Sequence, residues 1–294
     1  MVSYGILKII SALACLMPRG MAEACGRALG ALAWPLVPAK RKKLSHDQIV
    51  RCLGVDDAEA ERISRAAAVR FGPMIMEVLR FPVIKKHIDE YITFVGLDKL
   101  RQGLAAGKGC IIAAAHSGNW ELTGGAFAQA GIPLVGVAQK QKSLGADRWI
   151  IEQRELIGMH ITYKTGVREM FRMLKEGWAI GLIMDQDSSI RDGVVVDFFG
   201  QPTRAAVGAA SMARFDGVPI FTAFMHRDEH GHHTLVVDGP YYVEKTKDKK
   251  ADIKRTTQLL TTAIEKHIRR YPEEWFWLHD RWKSIREEAA HHHE

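Results

Sequence analysis

The chain of 294 residues has only four cysteines, Cys15, Cys25, Cys52 and Cys110, and no Cys-x-x-Cys pair. Most sit among apolar residues and read as reduced thiols, which argues against a disulfide framework and a cysteine zinc site. No apolar run reaches the roughly 18 to 20 residues of a clean membrane span. The first run, Tyr4 to Met17, has no basic side chain before it and makes a poor cleaved signal peptide. There is no internal repeat, no low-complexity linker, and no serine or cysteine elbow to act as a nucleophile.

What is present begins with an ordinary hydrophobic content of 47%, on a chain long enough to bury a sizeable core. A net charge of +7 favours anionic partners: nucleic acid, acidic lipid headgroups or an acidic carrier protein. The apolar helix over residues 4–17 is broken by Pro18-Arg19-Gly20. A second apolar stretch, 21–37, carries Glu23 and Arg27 and stops at Pro35 and Pro38. The pair reads as an interfacial helical hairpin lying partly in one leaflet, and Lys40-Arg41-Lys42-Lys43 suits the anionic cytoplasmic surface. The alternative is an ordinary first helix followed by a solvated basic run. Residues 1–43 are thus expected as a membrane-anchoring helical segment, 44–285 as one α/β domain and 286–294 as a disordered tail. The tail includes His291 to His293, read as a tag remnant or frayed end.

Residues 56–88 are amphipathic and helical, divided by Pro73 and Pro82. From Tyr91 the pattern alternates. Strands are expected at 91–95, 110–115, 134–138, 178–184, 194–199, 219–225 and 234–237. Helices are expected at 97–106, from about 119, and at 147–157, 167–175, 208–215 and 251–270. Strands alternating with helices predict a central mixed, largely parallel sheet flanked by helices.

The densest chemistry lies in Cys110 to Ala130. A short apolar strand ends in His116-Ser117-Gly118-Asn119, and Asn119 reads as the N-cap of a helix whose first turn holds Glu121. His116 therefore stands at the C-terminal end of a strand, where open α/β sheets bind ligands. If the turn folds back, Glu121 can hydrogen-bond the imidazole, fix its tautomer and stabilise the imidazolium formed on proton abstraction. Elsewhere, Asp185 and Asp187 follow a strand and can hold a divalent metal or cap a turn. The histidines 226, 230, 232 and 233 surround Gly231 in what reads as a solvated hairpin loop without zinc-site spacing.

His116-Ser117-Gly118-Asn119-Trp120-Glu121 resembles the His-x4-Asp/Glu block of glycerolipid-type acyltransferases. It is closer still to the late acyltransferases of lipid A biosynthesis, the lauroyl/myristoyl transferase family. Asp147-x6-Arg154-x3-Gly158 is similar to that family's second block, although Lys142-Ser143-Leu144-Gly145 replaces the Asn-Pro that often opens it. Met184 to Ser189 resembles its Asp-x-Asp block, Asp197 to Ala206 its Phe-Phe-Gly block, and Glu274 to Lys283 its aromatic terminal block. Five blocks in order cover about residues 1–285.

The resemblance implies a glycerolipid-acyltransferase-like fold and O-acylation of a lipid A precursor. The donor would be an acyl carrier protein thioester (or acyl-CoA), at the cytoplasmic face of the inner membrane. His116 would be the general base, supported by Glu121. Arg154 would lie in the active site, with Asp185 paired to it and Asp187 the weaker candidate. Arg204 would hold a lipid phosphate, with a structural role as the alternative. Backbone N–H groups at Gly118 and Asn119, or Arg154, would meet the oxyanion. No acyl-enzyme, cofactor, metal or nucleic acid is implied. A second reading changes the acceptor to a phosphatidylinositol mannoside or lysophospholipid, and a third is a non-catalytic basic binding protein.

Overall fold

The computed structural model describes residues 2–105 and 107–291. Its N-terminal third is helical: α1 (Val2–Leu16), α2 (Arg19–Ala33), α3 (Ala39–Leu53), α4 (Asp57–Val69), α5 (Phe71–Leu79), α6 (Phe81–Ile84) and α7 (Ile88–Tyr91). Proline and glycine set the breaks. Pro18 and Pro38 cap α2 and α3, and Gly54, in the left-handed conformation at φ +67°, ends α3. The Asp56 carboxylate caps α4 by accepting from Glu59 N–H at 2.8 Å.

The first two helices are docked on the body. Ser11 Oγ donates to Leu79 O at 2.6 Å, and Arg80 donates to Ala14 O and Met17 O. Helices α2 and α5 touch backbone to backbone, so that a Cβ on Gly72 would lie 1.9 Å from Gly26 O. The boundary expected between residues 43 and 44 falls inside α3. No helix among the described residues is long and apolar enough to cross a membrane. One face of α1 nevertheless exposes Ile6, Ile9, Ile10, Leu13 and Leu16, continued by Met21, Leu29 and Leu32 on α2.

The rest alternates: β1 (Ile92–Val95), α8 (Leu97–Ala105), β2 (Cys110–Ala114), α9 (Trp120–Gln129), β3 (Leu134–Ala138), α10 (Leu144–Leu156), β4 (His160–Tyr163), α11 (Val167–Lys175), β5 (Ala179–Ile183), β6 (Gly193–Phe198), β7 (Gln201–Ala206), α12 (Gly208–Asp216), β8 (Ile220–Arg227), β9 (His233–Tyr241), α13 (Lys249–Arg270) and α14 (Lys283–His291). Seven strands form one sheet in the order β1-β9-β8-β2-β5-β3-β4. All neighbours are parallel except β8 and β9, so β9 and β1 run against the other strands. Period-2 alternation sends Ile111, Val135, Ile180 and Phe224 into one core, and Ile112, Leu134, Ala179 and Met225 into a second on the opposite face.

Two local expectations are corrected, and two elements appear that carried none. The short strand β4 was not foreseen, nor was α3 beyond its basic start. Gln201–Ala206, expected to open a helix, is β7, paired antiparallel to β6 across a turn at Phe199 (φ 56°) and Gly200 (φ 72°). Two consecutive positive φ values suit the tight turn of a hairpin. Residues 286–291, expected as disordered tail, continue α14; residues 292–294 lie outside the described residues. The terminal aromatics pack inward, with Trp275, Trp277 and Trp282 all buried in the core.

Candidate active site

Strands β2 and β5 are parallel neighbours, and Ala114 of one pairs with Ile183 of the other. Two residues beyond each strand end stand His116 and Asp185. The shared register therefore brings them together at the carboxyl edge of the sheet, where open α/β folds hold their ligands. His116 Nδ1 donates to Asp185 Oδ1 at 2.9 Å, and the His116 backbone N–H donates to Oδ2 at 3.0 Å. Trp275 Nε1 adds a third donor to Oδ2 at 2.7 Å.

Asp185 is fully enclosed. Burial alone would raise its carboxyl, but His116 and these donors outweigh that and hold it below the usual carboxylate range. Burial would likewise depress His116, with Arg70 adding to the effect; Asp185 and, more weakly, Glu121 outweigh both and hold the imidazole above its ordinary value. Since Nδ1 carries the proton toward Asp185, Nε2 is left to accept one. The ring packs edge-on against Trp120 at 5.0 Å and is 22% exposed.

Glu121 does not support His116 through a hydrogen bond. Its carboxylate faces Arg154 of α10, with both Nε and Nη2 donating at 2.7 Å. Nor does Asp185 pair with Arg154. The expected partners are exchanged, and the reason is the turn before α9. Gly118 takes φ +59°, and a Cβ there would meet Met225 O at 2.3 Å. Asn119 caps α9 by accepting from Leu122 N–H at 3.0 Å. Together they direct the first turn of α9 toward α10.

The other expected residues fall in different places. Gly118 N–H is committed to Glu274 O at 3.0 Å, so it does not face an oxyanion. The Asn119 side chain is buried as a cap and as a donor to Glu77 at 2.7 Å. Arg204, on β7, pairs with Glu288 and does not reach His116. The Gly200 N–H donates to Asp197 Oδ1 at 3.0 Å. Asp187 accepts from Ser284 through N–H and Oγ. Among the described residues no group of three or more His, Cys, Asp or Glu is placed to hold a metal ion.

Each residue of the turn is pinned by a residue distant in sequence. Ser117 Oγ hydrogen-bonds His267 Nε2 at 2.8 Å; burial, with His226, Arg270 and Arg70 adding, pushes His267 down to about 3, so its ring is neutral. Arg70, the single residue between α4 and α5, donates to Gly118 O at 2.7 Å and lies over the rings of Phe71 and Trp120. Glu77, which anchors Asn119, also meets His233 at 2.9 Å, so His233 is a buried partner and not part of a solvated loop. His226 stacks on Tyr271, while His230 stays exposed. Arg70, Glu77, Trp275 and His267 were not assigned to the site from sequence. Only Trp275 carried a signal, as part of the aromatic terminal block.

Beside His116, next to Ala115 and Ser117, a groove opens between α9 and the sheet. Ser117, Trp120, Glu121 and Arg154 form its mouth and one wall; Ile112, Gly136, Ile161 and Gly181 form its floor. The lining is overwhelmingly apolar, with a charged pair near the mouth.

A family model described as bacterial lipid A biosynthesis acyltransferase matches residues 2–284. The phosphatidylinositol mannoside acyltransferase of Mycobacterium tuberculosis (strain H37Rv) is 30% identical over 245 residues, covering 80% of this chain and 75% of that protein. The Mycolicibacterium smegmatis protein of the same name is 28% identical, over 80% and 77%. The lipid A biosynthesis palmitoleoyltransferase of Escherichia coli K12 is 21% identical, over 88% and 84%.

Proposed function

The chain belongs to the bacterial lipid A biosynthesis acyltransferase family, and on that footing we propose that it moves a fatty acyl chain from a carrier-protein thioester to a hydroxyl of an anionic glycolipid at a membrane surface. The observation that carries this reading is the His116–Asp185 pair beside an apolar groove lined by Ala115, Ser117 and Trp120.

The acyl chain lies in the groove with its thioester carbonyl beside His116. The acceptor hydroxyl gives its proton to His116 Nε2 as its oxygen attacks the carbonyl carbon, and Asp185 stabilises the imidazolium formed. The tetrahedral oxyanion is met by Arg154 or the Asn119 backbone N–H. The intermediate collapses, the C–S bond breaks, and the imidazolium returns its proton to the departing thiolate. No covalent acyl-enzyme forms. Glu121 acts away from the imidazole, fixing Arg154 in the wall.

A lipid A precursor is the acceptor suggested by the family. The higher identity of the phosphatidylinositol mannoside acyltransferases favours that acceptor as a second reading. Both are phosphate-bearing glycolipids and suit a chain of net charge +7. The exposed apolar face of α1 and α2, followed by Lys40 and Lys43, fits a surface lying on the inner membrane at its cytoplasmic side.

The test is acyl transfer from a lauroyl-to-palmitoyl carrier-protein panel to each acceptor, for wild type and His116→Ala. Transfer to one acceptor, lost in a folded His116→Ala, supports the chemistry and names the acceptor. Donor hydrolysis without transfer to either would mean that the acceptor is wrong. A folded wild type that consumes no donor would leave only a non-catalytic binding role.

A further inference from the structure

The groove beside His116 runs inward between α9 and the sheet. Its floor is one rung across four parallel strands: Ile112 pairs with Gly181, Gly181 with Gly136, and Gly136 with Ile161. Alternation along the strands turns this rung toward α9, and the two glycines leave its centre without side chains. Over the rung a flexible side chain, Met159, reaches from just before β4 to α9. A Cβ on Gly124 of α9 would lie 2.4 Å from Met159 Cε, and a Cβ on Gly136 of β3 would lie 2.8 Å from the same methyl. The methyl thus sits between helix and sheet, where Phe127 and Leu134 complete the wall. Met159 is half-buried and lines the groove.

We propose that Met159 sets the longest acyl chain the protein accepts, its thioether closing the channel against the terminal methyl of the donor, while Gly136 and Gly181 give the channel its width. This rests on the acyl-transfer reading above and names the specificity of that same site. Along β3 the channel descends from Ala138 to the Met159 methyl over Gly136, a rise of roughly 7 Å at the strand spacing. Within that length the end wall decides. Each methylene that enters or fails to enter an apolar slot changes kcat/KM by roughly 10- to 200-fold. An unbranched thioether is a movable stop, so the cut-off has some width.

The experiment measures kcat/KM for carrier-protein thioesters from decanoyl to stearoyl, in wild type, Met159→Ala and Gly181→Ala. Met159→Ala shifts the optimum to longer chains and raises the longest-to-shortest ratio by about tenfold or more. Gly181→Ala shifts it to shorter chains. The second variant is safe for folding, because a Cβ there meets only Leu134 Cδ1 and Val135 O, each at 3.5 Å. A folded Met159→Ala with the wild-type length profile overturns the proposal. Should that variant not fold, an unchanged profile in Gly181→Ala overturns it. A wild type that transfers no donor at all removes the acyltransferase reading, and this inference with it, a failure seen without any variant.

Discussion

His116 meets Asp185, 69 residues along the chain at 2.9 Å, while Glu121, its near neighbour in sequence, faces Arg154. The two expected pairs, His116 with Glu121 and Asp185 with Arg154, have thus exchanged partners. The His116–Asp185 pair activates the imidazole. The Glu121–Arg154 pair is a bidentate clamp between α9 and α10.

The clamp is measurable by itself. The side chains of Glu121 and Arg154 are 11% and 16% exposed, so removing one partner strands a mostly desolvated charge. Glu121→Gln should lower unfolding free energy by about 3 kcal/mol, and adding Arg154→Met should recover part of that loss. Denaturant unfolding of the two single variants and the double variant gives the coupling. Singles that are each neutral would contradict it.

The pH dependence follows from the displaced imidazole. Nε2 works only when unprotonated, and the His116 value lies above that of an ordinary histidine. The acid limb of kcat/KM should therefore fall at a higher pH than for an unperturbed imidazole. Because the folded value is raised, the stability His116 contributes is complete below the ordinary histidine value and disappears as pH rises through the raised one. Asp185, held low, contributes stability above the ordinary carboxylate value and loses it as pH falls through its folded value. Asp185→Asn should move the acid limb downward.

Gly118 is required by its conformation. At φ +59°, with Met225 O 2.3 Å from any added Cβ, Gly118→Ala must distort the turn that carries His116. A stability loss of roughly 1–3 kcal/mol, accompanied by loss of transfer, is expected. Gly54→Ala, at φ +67° with open space around it, should cost less than about 1.5 kcal/mol and leave transfer unchanged. Thermal unfolding and initial rates of the two variants make the comparison.

Membrane contact is tested on α1. Ile9 and Leu13 are 64% and 56% exposed on one face. Ile9→Glu with Leu13→Glu should abolish co-sedimentation with anionic vesicles, since each residue gives up roughly 1.5–3 kcal/mol of apolar burial. The melting temperature should hold. Unchanged vesicle binding would assign the face to another partner.

Local signals in the chain were strong. The apolar run from Cys110 marked β2, Asn119 marked the start of α9, and Leu134 to Ala138 and Val167 to Lys175 stood out through composition and spacing. What stayed hidden was set by pairing. Asp185 becomes the partner of His116 only through the register of β2 on β5, and spacing along the chain instead suggested Glu121. The hairpin at Phe199-Gly200 was masked because Pro202 and the small residues after it look equally like a helix start. Arg70 gave no signal, since one arginine in a helical segment reads as solvated surface.

The most direct measurement compares initial rates of acyl transfer for wild type, Asp185→Asn and Glu121→Gln, each shown to be folded. Asp185 fixes the tautomer and stabilises the imidazolium, so Asp185→Asn should reduce kcat by roughly 10³–10⁴, as loss of the orienting carboxylate does in Ser-His-Asp sites. Glu121→Gln should lose markedly less. An Asp185→Asn rate within a few-fold of wild type, with Glu121→Gln inactive, would contradict the His116–Asp185 assignment.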